Sequence, residues 1–232
     1  MLDLGNLKFS RLGILGGTFD PIHYGHLLLG ESVAEQLKLD GVLFVPSGTP
    51  PFKRDRKIAP KWQRFDMVSL AVADNPRFFA SPIELLRENI SYSVDTMLDI
   101  RVEYGYETEI FFIIGADQLN QLEGWMDIKT LAGLCNFAAT NRAGHKIAFS
   151  TVAEKMIENY NLKIQYVGIP QWQISSTDIR RRIADNESVR YLIPDVVEKY
   201  IIKHGLYKGD WIIDDYDFTG YEEYIEGESY AG

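Results

Sequence analysis

Apolar positions along the chain fall into two patterns. Short unbroken strings rich in β-formers recur at residues 12–15, 42–45, 77–80, 110–114, 137–140 and 164–167. Continuous rather than alternating apolarity is the mark of strands covered on both faces. Between several strings the spacing changes to steps of three and four. Val33, Ala34 and Leu37 share one helical face, and Trp62, Phe65, Val68 and Val72 share another. Val94, Met97 and Leu98 form a third stripe, and Val196, Val197, Tyr200 and Ile201 a fourth. Strands alternating with helices predict right-handed βαβ crossovers. The expected fold is therefore α/β, a doubly wound parallel sheet with helices on both faces.

Residues 1–208 contain no internal repeat and no Pro/Gly linker, so they are expected to form a single domain. Residues 209–232 break the pattern. They mix acids with Trp211, Tyr216, Phe218, Tyr221, Tyr224 and Tyr230 and lack helical periodicity. A tail of this kind is either a solvated terminus or an arm that docks on its own domain or on a partner.

Composition narrows the class. At 232 residues and 46% hydrophobic, the chain can build a full core without staples. Its single cysteine, Cys135, excludes an intramolecular disulfide and a multi-cysteine metal site. The longest apolar strings are far too short to cross a bilayer, and the first ten residues carry no secretory signal. A cytoplasmic protein with no membrane partner is expected. The net charge of -9 is unevenly placed. Eight of the 33 acids follow Lys208, where no Lys or Arg occurs; the other 25 nearly balance the 24 Lys and Arg, leaving a body at -1. So neutral a body gives no reason to expect nucleic acid. Any phosphate must be held by a local cluster.

Open α/β sheets bind ligands at the carboxyl ends of their strands. The first string runs into GILGGTFDPIHYGH, residues 13–26. Neither GxxxxGK[ST] nor GxGxxG occurs there, which excludes a P-loop and the dinucleotide fingerprint. The adjacent Gly16 and Gly17 allow close backbone approach and positive φ. His23 and His26, three apart across a loop and a helix start near Gly25, can aim N–H groups into one small volume. The helix start adds free N–H groups and the positive end of its dipole. A metal pair would need further ligands, and none is evident nearby.

Late in the body, ISSTDIRRRI (residues 174–183) offers Ser175, Ser176 and Thr177 as N-caps, with Arg180 in the first turn beyond. This reads as a second phosphate cradle. Between them, PSGTPPFKRD (residues 46–55) presents Lys53 on a loop fixed by prolines. IGADQLNQLEGW (residues 114–125) brings Gly115 for close approach, Asp117 for a ribose hydroxyl and Trp125 for ring stacking.

GGTFDPIHYGH with a late ISSTDIR resembles the HxGH nucleotidyltransferase superfamily. PPFK, SYSVDT (residues 91–96), GADQLNQLEGW and TNRAGH (residues 140–145) narrow the resemblance to bacterial-type nicotinate mononucleotide adenylyltransferases. It runs from about residue 12 to residue 207 and implies a Rossmann-like fold. The implied activity transfers the adenylyl group of ATP to nicotinate mononucleotide, with Mg²⁺ arriving on the triphosphate. Carried onto this chain, it places Gly16, Gly17, Thr18 and Phe19 beside ATP. His23, His26, Lys53 and Arg180 would stabilise the reacting phosphates. Gly115 and Asp117 would hold the adenosine, Ser175, Ser176 and Thr177 the triphosphate, and Arg142 would reach a phosphate.

The nicotinate nucleotide would lie against Ser93, Trp125 and Met126. Neither SYSVDT nor EGWMD contains Lys or Arg, so the donors to the ring's carboxylate would be backbone N–H groups and the Ser93 hydroxyl. Phe52 stands where the family has His, and Ala143 where it has Pro. The competing readings are a pantetheine-phosphate adenylyltransferase, a cytidylyltransferase, or a catalytically silent nucleotide sensor. Assembly as a homo-oligomer is compatible with all of them.

Overall fold

The computed structural model describes residues 8–48, 58–87, 90–119, 121–142, 151–169 and 173–209. The acidic tail beyond residue 209 lies outside the described residues, as do Lys53, Phe52 and Ala143.

Each apolar string forms a strand: β1 (Arg11–Gly17), β2 (Gly41–Pro46), β3 (Phe78–Ala80), β4 (Glu109–Gly115), β5 (Asn136–Arg142) and β6 (Ile164–Ile169). All pairings are parallel, in the order β3-β2-β1-β4-β5-β6. Strand order reverses between β1 and β4, so a crevice opens at their carboxyl ends.

The helices are α1 (Tyr24–Gln36), α2 (Lys61–Val72), α3 (Ser93–Tyr104), α4 (Ala116–Leu119), α5 (Ile128–Leu134), α6 (Thr151–Tyr160), α7 (Ser176–Ala184) and α8 (Asp195–Lys203). The strands explain why two helical layers form. Val42 and Phe44 enter one core with Val33, Met67, Ile179 and Val197, from α1, α2, α7 and α8. Leu43 and Val45 enter the other with Met97, Leu131 and Met156, from α3, α5 and α6. Strand residues alternate between faces, and both faces are apolar.

Two of the expected helical stripes shift. Leu98 is 42% exposed and Val196 44% exposed. In α3 the buried face is Val94, Met97 and Ile100. At about 100° per residue Leu98 lies well to one side of that stripe's centre. In α8, Val197 and Ile201 face the core and Val196 sits off their edge.

Candidate nucleotide-binding site

A cavity of about 360 Å³ opens where β1 ends, α1 begins and α7 begins. Thr18, Asp20, His23 and His26 line one side; Ser175, Ser176, Thr177 and Arg180 line the other, with Ile58 and Ile174 as apolar walls. The two motifs, some 150 residues apart in the chain, thus converge on one volume.

The glycine pair works differently from expectation. Gly16 and Gly17 lie within β1, and neither has a positive φ. The left-handed residue is Phe19, at φ 48. Gly17 matters for space: a Cβ there would meet the Phe19 ring at 3.0 Å.

His23 is the N-cap of α1, and its backbone N–H donates to His26 Nδ1 at 3.3 Å. That bond leaves the His26 proton on Nε2. The rings stack with centroids 3.7 Å apart, and Phe19 meets the His26 ring edge-on at 4.9 Å. Burial pulls the His23 pKa down to about 4. Burial and then the adjacent His23 hold His26 well below its ordinary value. At neutral pH both rings are uncharged N–H donors. His23 Nδ1 is buried without a partner among the described residues.

Opposite them, the Ser175 hydroxyl caps α7 by accepting from Asp178 N–H at 3.2 Å. Of the three candidate caps, Ser175 takes the position. Ser176 Oγ donates to the Pro21 carbonyl at 3.0 Å, tying α7 to the loop after β1. First-turn N–H groups of a helix have no intrahelical acceptor, so this end of α7 offers donors to an anion. Arg180 Nη1 donates to the Asp20 carbonyl at 2.7 Å and lies 3.7 Å from Asp20 Oδ2. Asp20 Oδ1 accepts from Tyr207 Oη at 2.7 Å and from Ala59 N–H at 3.1 Å. The last described turn of the chain therefore reaches back into the site.

Gly115, Ser93, Trp125 and Met126 do not line this cavity. Gly115 ends β4 beside β1, and its N–H donates to Gln118 Oε1 at 3.0 Å. Trp125 packs edge-on against Phe112 at 5.8 Å, and a Cβ on Gly16 would touch the same Phe112 ring at 3.7 Å. Trp125 is thus one ring removed from the end of β1. Ser93 opens α3, whose N-cap Tyr92 makes no side-chain cap. Met126 is 53% exposed. Asp117 lies in α4 and Arg142 at the end of β5, and their side chains fall outside the described residues.

Sequence reasoning missed Asp20, Tyr207 and Arg64. Arg64 is 2% exposed, and its guanidinium donates to the carbonyl of Thr18, a residue of the cavity wall. The available signal was its place four residues before Val68, on the apolar face of α2.

The cytidylyltransferase-like family matches residues 14–182. A probable nicotinate-nucleotide adenylyltransferase of Thermoanaerobacter is 44% identical over 203 residues, covering 86% of this chain and 95% of its own. One from Moorella thermoacetica is 42% identical over 200 residues, with 86% and 92% covered. The fold matches Plasmodium falciparum nicotinic acid mononucleotide adenylyltransferase complexed with NaAD at a TM-score of 0.68 and 19% identity, over 85% of this chain and 97% of that one.

Proposed function

The chain belongs to the cytidylyltransferase-like family, among its nicotinate-nucleotide adenylyltransferases, and from that premise we propose how its site works. The reaction joins ATP and nicotinate mononucleotide into nicotinate adenine dinucleotide and pyrophosphate, a step of NAD biosynthesis. An oxygen of the mononucleotide's 5′-phosphate attacks the α-phosphorus of ATP. The bond from that phosphorus to the bridging β-phosphate oxygen breaks, and pyrophosphate leaves with the electron pair.

The nucleophile is already anionic, so no side-chain nucleophile or base is required. The protein positions two phosphates and stabilises the charge that builds on five-coordinate phosphorus and on the leaving group. The observation that carries this reading is the shared cavity of His23, His26 and Arg180 with the capped start of α7. The imidazole N–H groups and the α7 amides would hold the triphosphate, and Lys53 and Arg142 would approach it from their loops. Thr18 and Phe19 border the ATP phosphates beside Gly16 and Gly17; Gly115 and Asp117 take the adenosine. Ser93, Trp125 and Met126 take the nicotinate nucleotide, with Trp125 stacking on the ring.

Mg²⁺ enters as part of the substrate. The carboxylate that lines the cavity, Asp20, is already bound by Tyr207, Ala59 and Arg180. The ion would therefore sit on phosphate oxygens and water, as Mg²⁺ prefers. Turnover of ATP with nicotinate mononucleotide, set beside pantetheine phosphate and CTP-dependent acceptors, tests the reading. Dinucleotide formed only from the nicotinate nucleotide supports it. Absence of turnover would favour the nucleotide sensor.

A further inference from the structure

The guanidinium of Arg64 spends four of its five N–H donors on main-chain carbonyls. Nε donates to Ala59 at 3.0 Å and Nη1 to Thr18 at 2.7 Å. Nη2 donates to Ser47 at 2.6 Å and to Gly48 at 3.2 Å. Those carbonyls belong to three segments: the loop after β1, the loop after β2 and the approach to α2. The first borders the phosphate cavity, and the second leads toward Lys53. Burial lowers the Arg64 pKa, and Asp20, Tyr207 and Glu84, within electrostatic reach, partly offset that cost of keeping the guanidinium charged.

A buried arginine could simply stabilise the fold, and a carboxylate partner would serve that end. Arg64 has instead gathered carbonyls, and this has a consequence for the site. In a trans peptide the C=O and the following N–H point in opposite directions. Fixing the Thr18 carbonyl on Arg64 turns the Phe19 N–H away from it. That fixed peptide sits between Thr18 and Asp20, both of which line the cavity. The same guanidinium withdraws the Thr18 carbonyl oxygen, which would repel phosphate, from the cavity wall. Gly48 is also crowded from a different side, since a Cβ there would lie 2.5 Å from the Glu84 carbonyl oxygen.

Resting on the adenylyl-transfer reading, we infer that Arg64 is a positioning residue: by tying Thr18 to Ser47, Gly48 and Ala59 it sets the loop after β1 so that the Phe19 amide, not the Thr18 carbonyl, faces the triphosphate. Charge alone does not suffice for this role. A lysine would keep the cation but could not bridge three segments with a planar fork.

The test uses inorganic tripolyphosphate, whose binding does not depend on which acceptor the enzyme uses. Arg64→Lys, shown to be folded by circular dichroism and a cooperative melt, is expected to bind tripolyphosphate at least about tenfold more weakly than wild type. Its KM for ATP should rise more than its KM for nicotinate mononucleotide. In Arg64→Ala, millimolar guanidinium should restore tripolyphosphate affinity, and urea should not. Folded Arg64→Lys with affinity within twofold of wild type overturns the inference. So does folded Arg64→Ala that guanidinium leaves unchanged, or failure of both variants to fold, which would make the residue purely structural. Failure of the reading itself shows separately, as wild type that binds tripolyphosphate yet does not turn over nicotinate mononucleotide.

Discussion

The imidazoles of His23 and His26 lie face to face, 3.7 Å between centroids and 19° from parallel. Two stacked, buried imidazoles resist protonation, and both pKa values fall below the ordinary value of 6.5, His23 to about 4. In the unfolded chain they titrate near 6.5. Between about pH 4 and 6.5 the unfolded state therefore binds more protons than the native state. The contribution to stability is fully present above about pH 6.5 and is lost as pH falls toward 4. Melting temperatures of wild type and of a His23→Asn, His26→Asn double variant across this window provide the check. Wild type should lose stability relative to the variant as pH drops; a constant difference would show that neither histidine titrates as described.

His26→Ala should lower kcat by about a hundredfold or more, the usual effect of losing one donor to a developing charge. The ring meets Phe19 and His23 at the cavity wall, and the variant is expected to keep its fold, checked by circular dichroism. Steady-state kinetics with an unchanged kcat would take His26 off the catalytic list. Arg180→Ala should act chiefly on ATP, raising its KM at least about tenfold through loss of a charged donor. A rise confined to the KM of nicotinate mononucleotide would mean that the two substrates are placed the wrong way round.

Tyr207→Phe removes the donor at 2.7 Å from a carboxylate buried in the site loop. Loss of a hydrogen bond to a charged group costs about 1.5–3 kcal/mol. Urea unfolding should show a lower midpoint with an unchanged slope. A change below about 0.5 kcal/mol would place the hydroxyl outside the stability of the fold.

Much of this arrangement can be read in the chain, for identifiable reasons. The six strands announce themselves because a parallel sheet buried on both faces demands unbroken apolar strings. The phosphate site shows because His23, His26 and Ser175 act from the ends of elements, where local sequence sets the geometry. Leu98 and Val196 mislead because a step of three or four fixes a neighbourhood on a helix, not which edge of it meets the core. Arg64, Asp20 and Tyr207 escape for another reason. Their roles rest on contacts across 46, 160 and 187 positions of the chain, and no local pattern records them.

Under the proposed placement of the nicotinate ring against Trp125, substrate choice rests on the groups around the ring. Trp125, held edge-on by Phe112, offers stacking area that does not distinguish a carboxylate from a carboxamide. Trp125→Ala should weaken the nicotinate and nicotinamide nucleotides alike, with their kcat/KM ratio nearly unchanged. Two charge-assisted bonds from backbone amides near Ser93 and Met126, at about 1.5–3 kcal/mol each, should favour the acid by at least about a hundredfold in kcat/KM. Comparable kcat/KM values for acid and amide would point to a dual-specificity enzyme.

The central claim is that the joined histidine and α7 motifs transfer an adenylyl group to nicotinate mononucleotide. Its most direct test follows both products when the protein is given ATP, Mg²⁺ and nicotinate mononucleotide. The account predicts nicotinate adenine dinucleotide and pyrophosphate in equal amounts, both abolished when His23 and His26 are replaced together. Pyrophosphate without the dinucleotide, or neither product from the folded wild-type protein, would contradict it.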